Sequence, residues 1–213
     1  MEPCFRRYGV EDIIVWNDEE MTGQLTAWTD CAAWIATNRK DYIGTWHLED
    51  DVIPCKDFKT ISETVIGEGN MIVQGFITDN PFSDFKGETG ILPVRYLPYG
   101  MQCLYIPNDY LKGFIYFADN YVKPGLYHKR QYECGTLYSD NVLRGMMRKY
   151  YPNAMVNILE KCMVEHIDDM IGGRSIRKQA YTKRKARSFD NLEEVEQLRK
   201  WVKAYGYNGQ TKN

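Results

Sequence analysis

Apolar positions in this chain recur with two periods, and the alternation between them predicts an α/β protein. Ile13-Ile14-Val15-Trp16 reads as a short buried strand, stopped by Asn17 and Asp18. Leu25, Trp28, Cys31, Ala32 and Ile35 then fall at helical spacing, with Thr22 placed to cap them. A strand over Tyr42–Leu48 runs into Glu49-Asp50-Asp51-Val52. Phe58, Ile61 and Val65 mark a helix that starts near Asp57. Met71–Ile77 and Gln102–Pro107 read as strands, the second stopped by Pro107, with Asn108 as cap for a helix carrying Leu111, Phe114, Ile115 and Ala118 inward.

Val142, Leu143, Met146 and Met147 define a further helix, and Ala154–Leu159 and Cys162–Val164 close the strand pattern. Leu192–Tyr205 has the spacing of an outer amphipathic helix. Two polar stretches, Thr78–Pro98 and Lys123–Ser139, interrupt the pattern and read as long loops, where specificity commonly resides. Tyr96, Tyr99 and Tyr127 in or beside them are candidate stacking surfaces, and equally ordinary packing residues.

With 213 residues, one domain is expected, with a core that needs no disulfide or structural metal. The six cysteines stand singly, without a C-x-x-C pair, which argues against zinc ribbons and redox motifs. The absence of a signal peptide or transmembrane run leads to the expectation of a cytoplasmic protein with no membrane span. A net charge of −2 announces neither a nucleic-acid nor a membrane partner.

The chemistry is concentrated at Glu49-Asp50-Asp51. Three adjacent carboxylates repel one another, and none can be buried cheaply without a partner. A hard divalent cation such as magnesium or manganese resolves that conflict through oxygen ligands. The end of a strand in an open α/β sheet is also where ligands bind, so a metal–diphosphate site is the functional reading. Acidity at a solvated turn or helix start is the plain alternative.

The run Trp46-His47-Leu48-Glu49-Asp50-Asp51-Val52, followed by Pro54, resembles the acidic signature of GT-A-type glycosyltransferases, in the group that carries L-E-D-D-V. Tyr99–Pro107 resembles that family's glycine-then-strand element. Cys134–Leu143 resembles its acidic acceptor-side helix start, and Met163–Gly172 its strand-then-histidine element. The order of the four is that of the family. The resemblance implies a GT-A-like, Rossmann-related three-layer α/β/α sandwich with a mixed central sheet. The matched segments span roughly Ile13 to Phe189, and residues 1–213 are expected to form one such domain, with 172–213 a basic flap and C-terminal helix. The opening Met1–Gly9 is not an apolar strand, so a strand that usually opens this fold is expected to be missing or replaced.

The implied activity is metal-dependent transfer of a sugar from a nucleotide-sugar donor, with a UDP-sugar expected, to an unidentified acceptor hydroxyl on a glycan, a protein or a modified nucleic-acid base. Mn2+ or Mg2+ would stabilise the leaving diphosphate. By resemblance Asp51 and His166 are the metal ligands. Asp18, Glu49 and Asp50 with Arg174 and Lys178 bind the donor, and Asp140 is the catalytic base of an inverting enzyme. Simple N-capping at Ser139 or Asp140 competes with that role. His47 is set aside because strand alternation turns it away, and His128 is a weak acceptor-site candidate.

Between Arg174 and Arg187 seven basic residues occur without an acidic one. A solvated surface is the ordinary interpretation; a flap hinged at Gly172-Gly173 over the diphosphate, or a grip on DNA phosphates, are the functional ones. A nucleotidyltransferase would show a Gly-rich phosphate loop near the start, which is absent, and a metal-dependent hydrolase usually needs more than three histidines. The other alternative is a GT-A-like fold kept as a catalytically silent nucleic-acid or protein binding module, or a DNA-modifying glycosyltransferase.

Overall fold

The computed structural model describes residues 2–17, 24–49, 52–67, 70–77, 88–97, 100–122, 139–167, 186 and 188–205. Among the described residues there are seven strands: β1 (Gly44–Leu48), β2 (Val52–Pro54), β3 (Ile72–Gln74), β4 (Gly90–Pro93), β5 (Cys103–Pro107), β6 (Met155–Ile158) and β7 (Val164–His166). Five form a mixed sheet in the order β1-β5-β3-β6-β4, and β2 pairs with β7 in a small second sheet. β5 is antiparallel to both of its neighbours, and β3 is parallel to β6, so β1, β3 and β6 all run one way. Their carboxyl ends, Leu48, Gln74 and Ile158, therefore lie along a single margin of the sheet.

Alternation along the strands divides the core between the two faces. Ile72, Leu104, Ile106, Val156 and Ile158 turn toward α2 (Gln24–Asn38), α4 (Asn108–Phe117) and α5 (Ser139–Tyr150), which supply Ala32, Ile35, Leu111, Phe114, Val142 and Met146. Val73 and Tyr105 face the other way, against Val65 and Ile61 of α3 (Phe58–Ile66). Phe5 of α1 (Glu2–Arg7) extends that layer, meeting Phe58 edge to face at 5.1 Å. The result is an α/β architecture with a mixed central sheet and helices packed on both faces.

The small sheet is attached at the carboxyl margin. Cys55 N donates to Met163 O at 2.7 Å, Met163 N to Gly75 O at 2.7 Å, and Gly75 N to Cys103 O at 2.9 Å. Gly75 permits this close approach, since a Cβ there would lie 2.7 Å from Cys103 Sγ. α6 (Leu192–Tyr205) closes over the small sheet through Val195, which meets Ile53 and Ile167.

Several local expectations are corrected. Ile13–Trp16 forms no strand; Ile14 and Ile13 pack against different clusters while Val15 is 67 % exposed and Trp16 lies near the Trp34 ring. A four-residue apolar run fits such an irregular bridge as well as it fits a strand. The stretch read as a loop at 78–98 contains β4 and a 3-10 turn at Val94–Tyr96, while residues 78–87 and 98–99 lie outside the described residues. Gly90 and Pro93, its first and last residues, disguise β4, and an edge strand tolerates both. α3 does begin at Phe58, beside Asp57 as expected, though Asp57 makes no side-chain capping bond to it. Asn108 is the first residue of α4, not its cap, and its amide donates instead to Tyr42 O and, at 3.4 Å, to Arg39 O. The opening residues, not an apolar strand in sequence, form α1. Among the described residues no helix is long and apolar enough to cross a membrane.

Candidate functional site

Glu49 follows directly on the last residue of β1, at the margin where the parallel strands end. Pairing of Leu48 with Cys103 sets Glu49 opposite Gln102, whose Nε2 donates to Glu49 Oε2 at 2.8 Å. That carboxylate oxygen lies 3.9 Å from His166 Nε2. His166 reaches this point because β7 is registered on β2, with Val52 opposite His166. Its side chain is almost fully buried, beside the Phe76 ring at 6.3 Å, while Glu49 keeps a quarter of its side chain in contact with solvent. A buried imidazole facing a partly solvated carboxylate is a pair that can meet a cation from the solvent side.

Asp140 lies in the first turn of α5 and is held by two backbone N–H groups. Asn141 N donates to Oδ1 at 2.8 Å and Gly100 N to Oδ2 at 3.0 Å. The Gly100 bond spans 40 residues of sequence, so Asp140 does more than close its own helix end. Gly100 has φ +110°, and a Cβ on it would run into Gln102 Oε1. The segment 100–102 thus contacts Asp140 at one end and Glu49 at the other.

Next to His166, Glu165 is buried and accepts two backbone N–H bonds on Oε1, from His166 and Ala186, each at 3.0 Å. Burial pushes its carboxyl above the usual value, against those bonds, which act the other way. The chain therefore returns to the side of β7 at Ala186.

His47 has no part in this arrangement. It is buried against the Trp28 ring at 5.0 Å and shares a 2.9 Å hydrogen bond with Thr45 Oγ1. Burial lowers its pKa from 6.5 to about 4, so it is neutral at pH 7.

Of the residues singled out in the sequence, the structure brings Glu49 and His166 together and joins Asp140 to them through residues 100–102. Asp18, Asp50, Asp51, Arg174 and Lys178 lie outside the described residues, as do Gly172, Gly173, Tyr99, Tyr127 and His128. The Glu49–His166 pair can supply part of a cation site. One carboxylate oxygen and one imidazole nitrogen 3.9 Å apart fall within the separation of two ligands on a common ion, about 3 to 4 Å for bonds near 2.1 Å. Among the described residues no third histidine, cysteine or carboxylate completes a metal-holding group. Gln102 was missed in the sequence; its signal was a polar residue between Gly100 and a strand whose remaining residues are all buried.

No protein family matches this chain, and comparisons with curated proteins and with solved structures found no match.

Proposed function

We propose that this protein is a metal-dependent glycosyltransferase that moves a sugar from a nucleotide-sugar donor, a UDP-sugar first among them, to an acceptor hydroxyl. The supporting observation is the convergence of Glu49, His166 and, through Gly100, Asp140 at the carboxyl margin of the parallel strands. These residues come from the separate segments on which the resemblance to GT-A-type enzymes rests. In an open α/β sheet that margin is where ligands bind.

In this reading Glu49, which the resemblance gives to the donor, joins Asp51 and His166 in holding Mn2+ or Mg2+, since its Oε2 lies 3.9 Å from His166 Nε2. When bound, the ion supplies positive charge against the diphosphate as it leaves. The chain's own residues do the rest. Glu49 accepts from the neutral Gln102 amide, and His166 offers a buried imidazole whose approach is fixed by β7. Asp140, oriented by two backbone N–H groups, takes the proton from the attacking acceptor hydroxyl at a carboxylate oxygen. Arg174 and Lys178 are assigned to the donor diphosphate on sequence grounds alone.

The test is release of free nucleotide from a panel of nucleotide sugars, with Mn2+ and then with EDTA, for wild type, Asp51→Ala and His166→Ala. The reading predicts turnover of one donor that EDTA and both substitutions abolish. Turnover that survives EDTA and Asp51→Ala, or none with any donor, contradicts it.

A further inference from the structure

We infer that Gln102 is a positioning residue for the Glu49 carboxylate, and that the short segment Gly100–Gln102 sets both carboxylates of the site. The inference rests on the reading of Glu49 and His166 as cation ligands. Gln102 is buried, and a buried amide must place both of its ends. A carboxylate only accepts, so the Nε2 end must face Glu49 Oε2, where it stands at 2.8 Å. The Oε1 end then occupies the space above Gly100 that any Cβ would fill. The amide is thereby held by its bond to Glu49 at one end and lies close over Gly100 at the other.

The choice of an amide matters. A lysine or arginine in this place would hold Glu49 as firmly, but its positive charge would satisfy the carboxylate and oppose an incoming cation. A neutral donor orients the carboxylate without bringing a positive charge of its own. The same Oε2 atom is the one 3.9 Å from His166 Nε2, so the rotamer that Gln102 selects is the one that faces the imidazole. Two residues earlier, Gly100 N reaches Asp140 Oδ2. Strand pairing between β1 and β5 keeps this segment in register with Glu49. The metal-side and acceptor-side carboxylates consequently share one backbone reference.

Gln102→Met keeps the length and packing of the side chain and removes the donor; Gln102→Glu keeps the shape and reverses the preference at the Glu49 end. Crystal structures of both variants and wild type, grown without metal, give the Glu49 Oε2 to His166 Nε2 separation. Titration with Mn2+ alone, followed by electron paramagnetic resonance, gives the affinity. The inference predicts that Glu49 swings away from His166 in both variants and that manganese binds about 10- to 100-fold more weakly, the range for removing the partner of a metal ligand. A Glu49 carboxylate unmoved in Gln102→Met, with wild-type manganese affinity, overturns it. Wild type that binds no manganese defeats the proposed function, and the crystallographic separation in the variants still decides the role of Gln102.

Discussion

Gly100 N donates to Asp140 Oδ2 at 3.0 Å, and through this bond the start of α5 is tied to the start of β5. Asn141 N holds the second oxygen at 2.8 Å. A carboxylate accepts both bonds without conflict, whereas an amide must turn its NH2 toward one of these donors. Asp140→Asn is therefore expected to lower unfolding stability by about 1–3 kcal/mol, as for a charged hydrogen-bond acceptor. As the base of the proposed reaction it is also expected to reduce kcat by about 10²- to 10⁴-fold. Urea denaturation and steady-state transfer measure the two effects separately; a loss of stability with full kcat would leave Asp140 a structural residue.

Gly100 and Gly90 offer a controlled comparison. Both have positive φ, +110° and +98°, so alanine is strained at either one by the backbone alone, by about 1–3 kcal/mol. A Cβ at Gly90 meets nothing within 4 Å, while one at Gly100 runs into the Gln102 amide. Gly100→Ala should cost more stability than Gly90→Ala and should alone weaken manganese binding. Equal losses in both variants, with unchanged binding, would show that the Gly100–Gln102 approach has no consequence.

A part-buried and a buried carboxylate, Glu194 and Glu165, should respond to acid in opposite senses. Burial pushes Glu194 up, but hydrogen bonds from Tyr8, Asn191 and Cys4 and the charge of Arg7 outweigh it, and its pKa is lowered below 4.5. Its contribution is present above pH 4.5 and is lost as pH falls through the lowered value. Glu165 is raised by burial, so its contribution is greatest below pH 4.5 and declines as pH rises through the raised value. Urea midpoints across pH should show Glu194→Gln converging on wild type in acid. Glu165→Gln, whose Oε1 can still accept from His166 and Ala186, should gain on wild type as pH rises. The reverse pattern in either variant contradicts the assignment.

His47 titrates in a separate window. An unfolded chain takes up this proton near pH 6.5 and the folded one only near 4, so stability is full above 6.5 and falls progressively down to 4. The difference corresponds to about 3 kcal/mol. Its replacement in His47→Gln should flatten the stability profile between pH 6.5 and 4, and an unaltered slope would place the titration elsewhere.

Periodicity reads most of the scaffold because burial of one face dictates it. Leu192–Tyr205 is helical over the expected residues, and Phe58, Ile61 and Val65 face a core as their spacing requires. It fails where the deciding contact is distant. Ile13–Trp16 has the composition of a strand but no strand bonds it, and β4 is disguised by a glycine and a proline at its two ends. The candidate site was legible as separate segments, Glu49 at a strand end and His166 just beyond the apolar run Cys162–Val164, although the strand itself proves to be Val164–His166. The Gln102 amide that bonds Glu49 was not, because its partner is decided by the β1–β5 register. The same holds for Asn191, whose amide bonds Tyr8 at 3.0 Å, 183 residues away, and Pro54 O at 3.1 Å.

The most direct test of the central claim is calorimetric titration of UDP into wild type, Glu49→Gln and His166→Ala, with and without Mn2+. The account predicts that wild type binds UDP only when Mn2+ is present, and that each substitution weakens this manganese-dependent binding by at least about tenfold. UDP binding that is indifferent to Mn2+, or equally strong in all three proteins, would contradict it.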